Sequence, residues 1–111
     1  MNIDFIKWMV GYADGFEIIN DNVFYDPNGD PVDFSWFSRD DGLTIWYPLL
    51  LQRAIEGINK HDEKWSITQY PFIITVVDYD DNNIKFGDGD IGQSQEKNIE
   101  QALKYIWEKE K

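Results

Sequence analysis

Near the start of the chain Ile3, Ile6, Val10 and Ala13 recur at helical spacing, and Phe5, Trp8 and Met9 widen the apolar stripe. The pattern predicts a helix over residues 2–13, with Asn2 as its N-cap, Asp4 in the first turn and Gly15 at the stop. Phe16 to Asn20 and Val23 to Tyr25 read as short strands. Asp26-Pro27-Asn28-Gly29-Asp30 is a turn signal that closes a hairpin with Val32 to Phe34, and residues 35–42 read as a loop. A second helix is predicted over residues 47–59, with Thr44 as cap and Pro48 in the first turn. Leu51, Ala54, Ile55 and Ile58 line one of its faces.

Trp65 to Tyr70 and Phe72 to Tyr79 are rich in β-branched and aromatic residues and read as strands, with Pro71 between them. Asp80 to Asn83 is a polar turn, and Ile84 to Phe86 forms a third strand that ends at Gly87 to Asp90. After Gln93 and Ser94, the positions Ile99, Ala102, Leu103 and Ile106 mark the last helix, and Glu100 and Lys104 form an i, i+4 pair on it. The expected class is α+β: a small antiparallel sheet packed on one face by about three helices, in the order α-β-β-α-β-β-β-α. Residues 1–111 are expected to form a single domain.

Charge changes the picture more than size does. Twenty-one acids stand against ten bases, for a net charge of -11. Binding nucleic acid directly requires a Lys/Arg surface, so that class is set aside. With no cysteine there is no disulfide framework and no thiol nucleophile, and a lone histidine, His61, excludes a multi-His metal centre. Asp4 and Lys7 interrupt the apolar residues at the start, so no secretory signal is read, and no stretch approaches a membrane span. The expected location is the cytoplasm, with no membrane partner.

The acids cluster in two stretches: Asp21 to Asp41, and Asp78, Asp80, Asp81, Asp88 and Asp90. Carboxylates displayed at roughly phosphate spacing fit the nucleic-acid groove of another protein. The plainer account is that Asp favours turns and keeps an aromatic-rich chain dispersed. Two segments, Asp26-x-Asn28-x-Asp30 and Asp78-x-Asp80-x-Asn82, place oxygen ligands at alternate positions as calcium loops do. Neither completes the loop, because its sixth and twelfth positions hold Pro31 and Phe37, or Asn83 and Gly89. No nucleophile elbow or phosphate loop is present, and the glycines of Gly87 to Gly92 are interleaved with two acids. The leading expectation is therefore not an enzyme, and no cofactor is implied. Trp8, Trp65 and Trp107 lie in periodic segments and are expected in the core. Trp36 and Phe37, between two serines in an acidic stretch, are expected to be exposed partner anchors.

Residues Phe5 to Phe16, Tyr47 to Asn59 and Ala102 to Glu110 resemble small uncharacterised proteins of bacteriophages and prophages. The resemblance implies an accessory protein that acts in the host cell by binding a host protein. It extends to inhibitors of restriction or CRISPR systems, some of which are acidic mimics of nucleic acid. It carries no catalytic residues. The leading expectation is thus an acidic interaction module. Its partner site would be Asp78, Asp80, Asp81, Asp88 and Asp90, with Trp36 and Phe37. The alternatives are a divalent-cation module or hydrolase using Asp26, Asn28, Asp30, Asp78, Asp80 and Asn82, and an accessory part that self-assembles by edge pairing through residues 65–79. The sequence leaves the oligomeric state open.

Overall fold

Asn2 begins the first helix as its sequence position suggests. Its side-chain oxygen accepts the backbone N–H of Asp4 at 2.9 Å and that of Phe5 at 3.3 Å, so α1 spans Ile3–Tyr12. The computed structural model describes residues 2–39, 45–87 and 94–110. They divide into two compact units, Met1–Gly57 and Ile58–Lys111.

In the first unit α1 buries Phe5, Ile6, Met9 and Val10. Three short strands follow, β1 (Glu17–Ile18), β2 (Val23–Tyr25) and β3 (Pro31–Asp33), as an antiparallel meander. Phe24 and Val32 are register partners and fully buried. The segment expected to be a loop instead forms a 3₁₀ helix, Phe34–Ser38. Asp33 caps it by accepting the N–H of Ser35 at 2.8 Å, and three residues per turn place Phe34 and Phe37 on one side, where Phe24 buries them. Phe24 packs against both rings, with centroids 4.9 Å and 6.0 Å away, and against Phe16 at 5.8 Å.

Helix α2 spans Tyr47–His61 with Pro48 in its first turn, where the ring costs no helical hydrogen bond. Tyr47, Leu50, Leu51, Ala54 and Ile55 are buried along one stripe. Gly57 lies against the first helix, where a Cβ would collide with the carbonyl oxygen of Tyr12. The expected cap, Thr44, lies outside the described residues.

The second unit begins within the last turn of α2. Strands β4 (Trp65–Tyr70), β5 (Ile73–Asp78) and β6 (Asn83–Phe86) form a second antiparallel meander in that order. Register pairs Ile67 with Val76 and Val76 with Ile84. Helix α3 (Gln95–Glu110) lies on that face and buries Ile99, Ala102, Leu103 and Ile106, the positions its periodicity marks. The opposite face presents Ser66, Thr68, Tyr70, Asn83 and Lys85 to solvent. The α+β class holds, and the strands fall into two three-stranded sheets. Trp8, Trp65 and Trp107 are half-buried rather than core residues, because each sits at the margin of a helix stripe or strand end. Among the described residues no helix is long and apolar enough to cross a membrane.

Candidate interaction surfaces

The two acidic turn segments fold in the same way. Asp26 Oδ1 accepts the N–H of Asn28 at 3.0 Å and of Asp30 at 2.9 Å. Asp78 Oδ1 accepts the N–H of Asp80 at 2.9 Å and of Asn82 at 3.0 Å. In each, the first Asp also closes the strand ladder with the fifth residue, and its carbonyl accepts the N–H of the fourth. The fourth residue is left-handed in both, Gly29 at φ 84° and Asp81 at φ 63°. Each is a three-residue hairpin loop: a turn followed by one left-handed residue.

This geometry accounts for the alternating Asp/Asn pattern. Asp26 and Asp78 turn a carboxylate oxygen inward to hold their own loops, and the residues two and four places on serve through backbone N–H groups. Asp78 also accepts the side-chain amide of Asn82 on Oδ2 at 3.0 Å. That bond comes first among the causes that hold the Asp78 carboxyl below its ordinary range. Burial opposes it, while the N–H groups of Asn82 and Asp80 and the charge of Lys109 add to it. Among the described residues no group of three or more His, Cys, Asp or Glu side chains is placed to hold a metal ion.

The acids left over project from the loops. Asp80 and Asp81 are exposed at the tip of the β5–β6 hairpin beside Tyr79, which is 72% exposed. Asp21 and Asp30 are exposed at the corresponding turns of the first unit. No hydrogen bond or ion pair engages any of these four carboxylates among the described residues. On the first sheet the register places Glu17, Tyr25 and Pro31 in one row, with Val23 and Asp33 beside it, on the face opposite Phe24 and Val32. Tyr25 is exposed there. Asp33 also sits below its ordinary carboxylate range, mainly because it accepts the backbone N–H of Ser35.

Charge is not shared equally. Residues 1–57 hold ten acids and three bases, a net of -7, while residues 58–111 hold eleven acids and seven bases, a net of -4. Three of the seven bases in the second group lie on α3, where Lys97 and Lys104 flank Glu100 at 3.6 Å and 3.4 Å.

The expected anchors separate. Phe37 is fully buried against Phe24, which corrects the expectation that it is exposed: its aromatic ring completes the core beneath the 3₁₀ helix. Trp36 is half-buried and packs on Trp46 at 5.3 Å, with planes 33° apart. Asp88 and Asp90 lie outside the described residues. Trp36 belongs to the first unit, and Asp78, Asp80 and Asp81 to the second. The sequence reading passed over Tyr79 and Tyr25. Tyr79 is expected to end the strand that starts at Phe72, but β5 stops at Asp78 and leaves Tyr79 in the turn, where the sheet offers it no core. His61 ends α2 and is exposed. Comparison with known protein families, with curated proteins and with solved structures finds no match.

Proposed function

We propose that this protein is an acidic interaction module that binds a basic surface on a protein partner. The reading rests on one observation: Asp21, Asp30, Asp80 and Asp81 project from turns whose backbone is held by other residues, with no cation engaging them among the described residues. A carboxylate not used by the fold is available to a Lys/Arg surface, and attraction of that kind steers association and weakens with salt. Tyr79 beside two such acids is the type of residue that anchors an interface.

The finer form of the proposal is a phage-type counter-defence inhibitor that acts in the host cytoplasm. Its acidic face would compete with nucleic acid for a restriction or CRISPR component. The resemblance described above supports it, together with the charge of -11.

The test begins with capture from a bacterial lysate by the tagged chain, elution in a salt gradient and identification by mass spectrometry. The purified partner is then titrated at several ionic strengths, with and without duplex DNA. Affinity is expected to fall steeply with salt, and DNA is expected to compete. Asp80→Asn with Asp81→Asn, or Asp21→Asn with Asp30→Asn, should flatten the salt response of whichever unit makes the contact. Asn tolerates the left-handed conformation at position 81, so the loop survives. A flat salt response in the wild type would remove the electrostatic reading, and absence of competition would remove the mimicry.

A further inference from the structure

Strand β4 stands at one edge of its sheet, with β5 as its single strand neighbour among the described residues. In an antiparallel ladder alternate residues direct their N–H and C=O away from the neighbour, leaving an edge that another strand can pair with. Ile67 is one of these, and its outward groups are already taken. Its N–H donates to Asn59 Oδ1 at 2.7 Å, and Asn59 Nδ2 donates to its carbonyl oxygen at 2.8 Å. A primary amide presents an acceptor and a donor side by side, as an incoming strand residue would. Asn59 reaches this position from the last turn of α2 and occupies the middle of a six-residue strand.

The usual protections are missing from β4. Its sequence, WSITQY, contains no charged residue and no proline. The other edge, β6, is four residues long and carries an exposed Lys85. An uncharged strand in a chain of net charge -11 can pair with its own copy without bringing like charges together across the new ladder. Such pairing is two-fold and self-complementary, so it closes at a dimer.

We propose that Asn59 is a gate on this edge: in place it keeps β4 closed, and without it a second copy of the chain adds antiparallel, β4 against β4. This is independent of the acidic surfaces and of any partner bound there.

Sedimentation velocity of the full chain tests it, in enough salt to screen self-repulsion. The wild type is expected at the monomer mass of 13.1 kDa, and Asn59→Ala at twice that mass. Adding Gln69→Pro to Asn59→Ala should restore the monomer. Residue 69 shares the outward phase of Ile67, so proline there removes a donor the incoming strand needs and spares the β4–β5 bonds. Asn59→Ser is the second variant: its short hydroxyl side chain cannot present the paired acceptor and donor that Ile67 uses, it adds no charge to the edge, and it should also dimerise. A folded Asn59→Ala that stays monomeric at every concentration overturns the gate. So does a dimer that ignores Gln69→Pro, or a wild type already dimeric through the same edge. Loss of fold in both Asn59 variants overturns it too, because Asn59 would then be required by the fold itself.

Discussion

The two meanders solve the same turn problem with different residues. In the first unit, Asp26-Pro27-Asn28-Gly29-Asp30 uses proline where φ near -65° suits a turn and glycine at the left-handed position, φ 84°. In the second, Asp78-Tyr79-Asp80-Asp81-Asn82 has the same hydrogen bonds, but an aspartate takes the left-handed position at φ 63°. The contrast recurs at the β4–β5 turn, where Phe72 is left-handed at φ 63°, a conformation unusual for a bulky residue. That turn is held from outside. Asn98, fully buried on α3, donates to the Phe72 carbonyl at 3.0 Å, and Gln95 donates to that of Tyr70 at 2.9 Å. The first unit writes the Asp26 turn into local sequence. The second does the same at its Asp78 loop, whose tip residues stay at liberty, but fixes the β4–β5 turn by tertiary bonds from α3.

The largest expected effect breaks that tertiary support. Asn98→Ala leaves the Phe72 carbonyl without its amide donor and empties a fully buried site. A loss of about 3 kcal/mol in urea unfolding is expected, the upper range for a buried hydrogen bond left unmade. A loss below about 1 kcal/mol would show that the Phe72 turn holds itself.

Next comes the first Asp of each loop. Asp26→Ala removes two charge-assisted bonds from a buried carboxylate and should cost about 2 kcal/mol. Asp78→Ala should cost less, because its carboxylate is more exposed and solvent replaces its bonds. Thermal melts of the two variants side by side check the order, and a larger loss at Asp78 would reverse the reading of which loop leans on its carboxylate.

The left-handed residues give smaller changes of opposite sign. Gly29→Ala places a Cβ in an unfavourable conformation and should destabilise by about 1 kcal/mol. Asp81→Gly relieves the same conformation, partly offset by a more flexible unfolded chain, and should stabilise by about 0.5 kcal/mol. If both substitutions destabilise, the Asp81 side chain contributes more to its loop than its backbone costs.

This division explains how far the sequence could be read. The three helices, the buried faces of α2 and α3, and the Asp26 hairpin were legible because each rests on local periodicity, a cap or a turn residue. The 3₁₀ helix was not, since burial of Phe34 and Phe37 depends on Phe24, ten and thirteen residues earlier. For the same reason Phe37 looked like an anchor. Separation of the strands into two sheets is a matter of pairing, on which local pattern is silent. The acidic residues were legible as a count but not as two populations. Which carboxylates hold backbone and which stand clear is decided by hydrogen bonds that composition does not encode.

The subtlest test of the comparison concerns Asn82, which has an Asp at the equivalent place in the first loop, Asp30. The Asn82 amide donates to Asp78 Oδ2 and is the chief reason that the Asp78 carboxyl lies below its ordinary range. A lowered folded pKa means that the unfolded chain binds the proton more tightly, so stability rises with pH across that interval. The contribution is therefore complete above the ordinary carboxylate range, near pH 4, and is lost as pH falls through the lowered folded value. Asn82→Ala removes the amide and keeps both backbone N–H donors. The Asp78 resonance in a carboxyl-detected NMR titration should move up toward its ordinary value without reaching it, while that of Asp33, held by Ser35, should not move. An unchanged Asp78 midpoint would mean that the backbone N–H groups alone hold the carboxylate. The two loops would then be equivalent in electrostatics as well as in shape, with the difference between them confined to the tip.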